Sequence, residues 1–204
     1  INSHRINEGK LPFLNQKGTD FFFERRFGPI ETAKTICNLL QKRLPEYLKL
    51  PEKDRRRHTV HMMQVLTPTK KGDCGSIALN RVLQNALNPA RKGLPSLQHG
   101  DTEFRQGDKV IQTKNNYQIV FIRDTADGQE EGTGVFNGDV GYIESIDADE
   151  HRMTVCFDEE RYVSYQKEQL DLLELAYCLT VHKSQGSEFP VVVMPVVGGP
   201  PMLM

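Results

Sequence analysis

Eight residues near the C-terminal end carry most of the chemistry this sequence offers: Thr180, His182, Lys183, Ser184, Gln185, Gly186, Ser187 and Glu188. Hydroxyls and amides donate to phosphate oxygens and Lys183 adds a positive charge, so phosphate is the ligand these residue types suit best. A plain hydrophilic loop between strands is the competing reading. A second polar cluster, Thr69-Lys70-Lys71-Gly72-Asp73-Cys74-Gly75, is basic and glycine-containing. It follows a strand pattern and precedes a helix pattern, the order in which backbone amides face a phosphate.

The elements that must position these clusters are legible from periodicity. Ala176–Val193 reads as strand, polar loop, strand, because an apolar run breaks into the polar cluster and resumes at Val191-Val192-Val193. Thr59–Pro68 has a buried-strand pattern ending at proline, and Ser76–Leu87 repeats Leu79, Leu83 and Leu87 one helical turn apart. Upstream, residues 1–18 show no period and read as an arm, and Phe21–Phe23 read as a short strand. Ile30–Leu44 is an amphipathic helix that Pro45 is expected to stop. The charged run KLPEKDRRRH after it reads as a solvated loop, whose Arg55, Arg56 and Arg57 either meet a phosphate backbone or simply stay in water.

After a Pro/Gly-rich linker at 89–101 the period changes to that of short alternating strands. These are Asp108–Asn115, Gly141–Asp147, Arg152–Phe157 and Arg161–Tyr165, which suggest a small SH3-like barrel with a loop over Asp124–Gly134. Val155-Cys156-Phe157-Asp158-Glu159 imitates a magnesium-binding strand end, but the immediate alternation of Arg161–Tyr165 makes a hairpin turn the simpler source of those acids.

The composition is that of an ordinary globular chain: 204 residues, 38% hydrophobic, 26% charged, with no apolar run long enough to span a bilayer and no secretory signal at the first residues. No membrane partner and a cytoplasmic location are expected. Four cysteines lie far apart without a CxxC pair and read as reduced thiols, and His58 and His61 lack further ligands at metal-binding spacing. The net charge of −1 conceals an asymmetry. Residues 1–100 hold 18 basic and 8 acidic side chains, whereas residues 101–174 hold 7 and 18. The first segment is therefore the better candidate for polyanion contact, and the contrast suggests two domains.

Several stretches, in order, resemble RecD-like DNA helicases of superfamily 1B. Gln64–Gly75 (QVLTPTKKGDCG) is similar to that family's motif IV, and Leu79–Pro89 to the helix after it. Phe104–Tyr117 and Phe136–Ile143 are similar to its inserted SH3-like domain, and Thr180–Phe189 (TVHKSQGSEF) to its motif V. The resemblance implies an α/β fold: an incomplete RecA-like parallel-sheet lobe carrying an inserted small all-β SH3-like barrel. The implied divisions are an arm at 1–18, lobe at 19–101, barrel at 102–172 and lobe again at 173–204. No GxxxxGK[ST] occurs in the sequence, so Walker A and B would belong to a first lobe outside it, and the arginine-finger motif is expected just past Met204.

The roles the resemblance implies are these. Thr180, His182, Lys183 and Ser184 would contact single-stranded DNA through hydroxyl, imidazole, ammonium and amide. Gln185, Gly186 and Glu188 would face ATP, with Gln185 catalytic and Glu188 accepting from the ribose. Lys71 stands near the γ-phosphate, as a point charge without arginine's fork. Asn115, Asn116 and Tyr117 either touch a base at the barrel edge or form a strand-ending turn. Cofactors would be ATP and Mg2+, the metal held mainly by the first lobe of the same polypeptide. The whole would be an ATP-dependent 5′-to-3′ DNA helicase. The alternative is a non-enzymatic SH3-like/α-β module that recruits a protein or nucleic acid.

Overall fold

A computed structural model describes residues 2–125 and 128–196. The N-terminal segment is a short helix, α1 (Asn2–Asn7), followed by irregular chain. The strand expected at Phe21–Phe23 does not form. The Asn15 side chain donates to the Phe23 carbonyl and accepts from the Phe23 N–H, both at 2.8 Å, so one side chain satisfies the groups a partner strand would pair.

Helix α2 (Pro29–Asn38) runs through a π-helical turn, Leu39–Arg43, into α3 (Leu44–Tyr47), so Pro45 does not end it. Proline lacks an N–H and its ring clashes with the carbonyl one turn back; widening the turn just before it relieves that clash and lets the helix continue. The charged run is a loop only as far as Asp54. Arg55–Met62 is helix α4, and the strand β1 (Met63–Thr67) begins only after it. Tertiary partners decide this: Arg56 donates to the Asn88 side chain at 2.7 Å, Arg55 to the Leu50 carbonyl at 3.3 Å, and Val60 is buried. Helix α5 (Ser76–Leu87) has the bounds its leucine spacing implies.

The antiparallel region is larger than the sequence pattern shows. The linker contains β2 (Ser96–His99), a hairpin partner of β3 (Thr102–Arg105). The strands β4 (Lys109–Gln112), β5 (Asn116–Thr125), β6 (Gly128–Val135), β7 (Val140–Asp147), β8 (Arg152–Phe157), β9 (Arg161–Tyr165) and β10 (Leu173–Leu175) form one seven-stranded sheet in the order β10-β4-β7-β8-β9-β5-β6. What read as a loop over Asp124–Gly134 is largely the β5–β6 hairpin, with Ile122 opposite Glu131. Strand β6 is the sheet edge and carries exposed Glu130 and Glu131; edge strands are commonly charged, which hides them from a hydrophobic-alternation test. Asp158 and Glu159 sit at φ 52° and 62° in the turn between β8 and β9, so the imitation of a magnesium-binding strand is a hairpin.

Strands β11 (Cys178–Thr180) and β12 (Val191–Val193) flank β1 on either side and run parallel to it, with Thr67 opposite Thr180 and Val65 opposite both Cys178 and Val193. One hydrophobic core serves both sheets, joining Val65, Leu79 and Leu83 to Phe104, Val110 and Tyr177. Buried polar groups are placed within it. Asp108, fully buried, accepts from Asn88 and Tyr177 at one carboxylate oxygen and from Gln84 and the Arg105 N–H at the other, at 2.6–2.9 Å. The Asn80 side chain binds the Leu175 and Cys178 carbonyls and the Cys178 N–H, fixing α5 against β11.

Lys109 is 2% exposed and donates to the Val60 carbonyl at 3.0 Å. Burial pulls its ammonium down to about 8. A cation whose folded pKa lies below its unfolded one opposes folding at neutral pH, and that cost fades as pH rises from about 8 toward about 10.4. Comparing wild type with Lys109→Met by urea unfolding at about pH 7.5 and about pH 10, the wild type is expected to gain about 2–3 kcal/mol relative to the variant. Parallel pH curves would show that Lys109 is not the group responsible.

Candidate phosphate-binding loops

Because β1 and β11 are adjacent and parallel, the loops after them leave the same edge of the sheet. The Val181 N–H donates to the Thr67 carbonyl at 3.0 Å, where the two loops diverge. This is the strand-end position at which open α/β sheets bind ligands.

In the loop after β1, the Thr67 hydroxyl donates to the Cys74 carbonyl at 2.7 Å and folds residues 68–75 back on the strand. The first amides of α5 are consumed by this fold: Ser76 N–H donates to the Thr69 carbonyl and Ile77 N–H to the Lys70 carbonyl, at 3.0 and 3.2 Å. The amide cradle expected from the strand-loop-helix order is therefore closed by the loop's own carbonyls, and side chains must supply the donors. Lys71 is exposed, and its ammonium pairs with no described residue. Lys70 instead reaches Glu174 Oε1 at 3.0 Å.

In the loop after β11, residues 182–184 form a single 3-10 turn. Thr180 Oγ1 accepts from the Lys183 N–H at 3.3 Å, which leaves its own hydroxyl proton to donate outward. His182 is exposed, and Lys183 Nζ binds Glu174 Oε2 at 3.0 Å. Ser184 is buried, and both its N–H and its hydroxyl donate to the Val181 carbonyl, at 3.3 and 2.9 Å. The tight turn thus occupies the Ser184 amide that the resemblance assigns to DNA. Gln185, Gly186 and Glu188 are all exposed, Gly186 at φ 85°, and among the described residues the side chains of Gln185 and Glu188 have no hydrogen-bond partner. Phe189 anchors the loop's far end against Ile111, Ala176 and Leu179, with its ring 5.8 Å from Lys109 Nζ.

Glu174 is the residue the sequence did not disclose. It lies on β10, a strand of the seven-stranded sheet, and receives a lysine from each loop. Burial acts to raise its pKa, but hydrogen bonds from Lys183 and Lys70 and their charges outweigh this and hold the carboxyl below the usual range. Its only sequence signal was its place between Leu173 and Leu175, both buried.

Asn115 lies between β4 and β5 of the seven-stranded sheet, and Asn116 is the first residue of β5. Asn116 Oδ1 accepts from the Gln118 and Ile119 N–H groups, and Asn115 links the Tyr117 hydroxyl to the Asn137 N–H. The strand-ending role is thus realised, and it supports an exposed edge-to-face pair, Tyr117 and Phe136, with ring centroids 5.7 Å apart. His61 stacks on Tyr142 at 3.8 Å, and burial pushes the Cys178 thiol up to about 12 and also raises Cys37, Cys74 and Cys156. Thiols held protonated in this way are poor nucleophiles.

Two separate stretches match helicase families: residues 79–157 match the ATP-dependent RecD-like DNA helicase SH3 domain, and residues 175–204 the UvrD-like helicase C-terminal domain. Both matched domains occur in helicases. More narrowly, the first stretch is similar to the SH3 domain of RecD-like helicases. The chain is similar to the ATP-dependent RecD2 DNA helicase of Deinococcus radiodurans, 38% identical over 130 residues, covering 64% of this chain and 15% of that protein. An uncharacterised protein of Methanocaldococcus jannaschii is 32% identical over 151 residues, covering 67% of this chain and 12% of that protein. Among solved structures, Bacteroides Pif1 bound to ssDNA is 13% identical with a TM-score of 0.39, covering 85% of this chain and 44% of that one. The chain thus spans less than a fifth of the length of the curated relatives it matches. No helix among the described residues is long and apolar enough to cross a membrane.

The loop geometry makes Gly75 indispensable. A Cβ there would lie 2.5 Å from the Lys71 carbonyl oxygen and 2.7 Å from that of Lys70. Since both contacts are backbone, Gly75→Ala is expected to cost about 1–3 kcal/mol in urea unfolding. An unchanged midpoint would show that the loop is not held in this fold.

Proposed function

We propose that this chain is part of an ATP-dependent 5′-to-3′ DNA helicase, contributing backbone contacts to single-stranded DNA and the second face of an ATP site shared with a preceding RecA-like lobe. The observation that carries the reading is the emergence of two polar loops from neighbouring parallel strand ends, with Thr180, His182, Lys183 and Lys71 at their surfaces. The polarity and the use of ATP come from the resemblance to RecD-like helicases and from the relative's being ATP-dependent. DNA as the ligand class comes from the same resemblance and from the relative's being a DNA helicase.

In this reading Thr180 donates its hydroxyl, His182 its ring N–H and Lys183 its ammonium to successive phosphates, contacts that hold a strand without reading its sequence. Ser184 closes the turn beneath them. Gln185, Gly186 and Glu188 continue along the same loop toward the nucleotide, where exposed amide and carboxylate suit a ribose and the γ-phosphate side, and Lys71 adds a charge from the neighbouring loop. ATP supplies the free energy when bound. Mg2+ would be held mainly by the first lobe, as the resemblance implies. The barrel follows the loop through Phe189 and offers Asn115, Asn116 and Tyr117 as an edge for bases. The lobe and barrel limits in this reading fall near residues 18, 101 and 172, with the β2–β3 hairpin straddling the second and β10, just past the third, still paired with β4.

In the full-length protein, Lys183→Ala is expected to weaken single-strand binding equally for all sequences and to flatten the salt dependence by about 0.7 in slope, one phosphate's worth. An unchanged slope would take Lys183 off the DNA path. The 204-residue chain alone is expected to turn over no ATP, because it contains no Walker A sequence to cradle the phosphates. DNA-stimulated hydrolysis by the purified chain would overturn the reading.

A further inference from the structure

The two lysines that reach Glu174 come from different loops and meet on one carboxylate. Lys70 Nζ is 3.0 Å from Oε1 and Lys183 Nζ is 3.0 Å from Oε2. A carboxylate presenting one anionic oxygen to each of two ammonium groups has the pattern of a phosphodiester, which also offers two anionic oxygens on a single centre. We propose that Lys70 and Lys183 together form a site for one phosphodiester of the bound strand, and that Glu174 occupies it as an internal substitute until DNA displaces it.

Three observations support an exchange rather than a fixed brace. The side chains of Lys70, Lys183 and Glu174 are 52%, 30% and 44% exposed, so the ion pairs are in contact with water, where such pairs are weak and readily exchanged. Lys70 and Lys183 belong to the loops that leave neighbouring strand ends, so a phosphate lying between them would touch both. The triad carries a net positive charge while Glu174 is ionised, which leaves the site attractive to a second anion.

Glu174 also belongs to another part of the molecule. Through Leu173 and Leu175 strand β10 is set in the core, and Glu174 is paired with Ile111 of β4 in the seven-stranded sheet. Displacing its carboxylate therefore unlinks that sheet from both loops at once, while Phe189 keeps its apolar contact with Ile111. Occupancy of the strand site is in this way communicated to the barrel by loss of a tether. The inference rests on the reading of Lys183 as a DNA contact, and adds Lys70 and Glu174 to it.

The test is anisotropy of a fluorescein-labelled oligothymidine with the full-length protein across a salt series. Glu174→Gln is expected to tighten binding about three- to tenfold at low salt and to steepen the slope by at most about 0.7, for the one phosphate the two lysines share. Glu174→Ala should change both in the same direction, and urea midpoints of the two variants verify folding. In a Lys70→Ala/Lys183→Ala background the gain from Glu174→Gln should vanish. A gain that persists there would mean a distant repulsive charge, and a loss of affinity in the single variant would mean a brace; either overturns the proposal. If Lys70→Ala/Lys183→Ala itself leaves affinity and slope unchanged, the DNA reading of the loop fails, and the exchange fails with it.

Discussion

The structure depends on one buried carboxylate. Asp108 accepts four hydrogen bonds from groups on three separate stretches of chain: Gln84 on α5 and Asn88 just after it, the Arg105 N–H at the end of β3, and the Tyr177 hydroxyl just before β11. Burial pushes its pKa up, and the four donors act against that shift. A carboxylate in this position is tolerated only because both of its oxygens are fully supplied, and the geometry that supplies them admits one arrangement of helix, barrel and parallel sheet. Arg56 and Arg105 extend the network through Asn88, so that helix α4 is held to the same centre.

From that centre outward, the chain between the barrel and the β11 loop is short and firmly fixed. Gln64 donates to the Ala176 and Tyr177 carbonyls and Asn80 binds both sides of Cys178, which sets β11 in register with β1. The polar loop then begins where β11 ends. Its position is thus inherited from buried amides, while its chemistry is carried by exposed side chains. Phe189 and Glu174 return the loop to the barrel at two points, one apolar and one ionic. The acidic surplus of residues 101–174 therefore does more than enlarge the negative surface: one of those acids sits between the lysines of the two loops.

The readings that held were those in which one element buries a face of fixed period. The leucine spacing of Ser76–Leu87 and the alternation of Arg152–Phe157 and Arg161–Tyr165 reproduce the observed bounds, because each position's burial follows from local geometry alone. The readings that failed concern residues whose partners are distant in sequence. Phe21–Phe23 lacks a partner strand, Arg56 of α4 finds Asn88, and β6 pairs only along one edge. In the site, Thr180 and Lys183 stand at the surface as their residue types imply, whereas the Ser184 amide and the first amides of α5 are spent within their own turns.

What the sequence by itself determined is the chemistry at hand and a resemblance: a string of phosphate-seeking side chains after an apolar strand, and stretches similar to RecD-like motifs in order along the chain. Residue type and spacing are enough for that, since donors, charges and periodicities are properties of the chain before it folds. Only the tertiary structure decided which donors remain available and which charges meet. Hydrogen-bond capacity is used up by neighbours in space, and Lys70, Glu174 and Lys183 become one group because two parallel strands end side by side next to β10. The separation along the chain, 104 residues between Lys70 and Glu174, carries no trace of that contact.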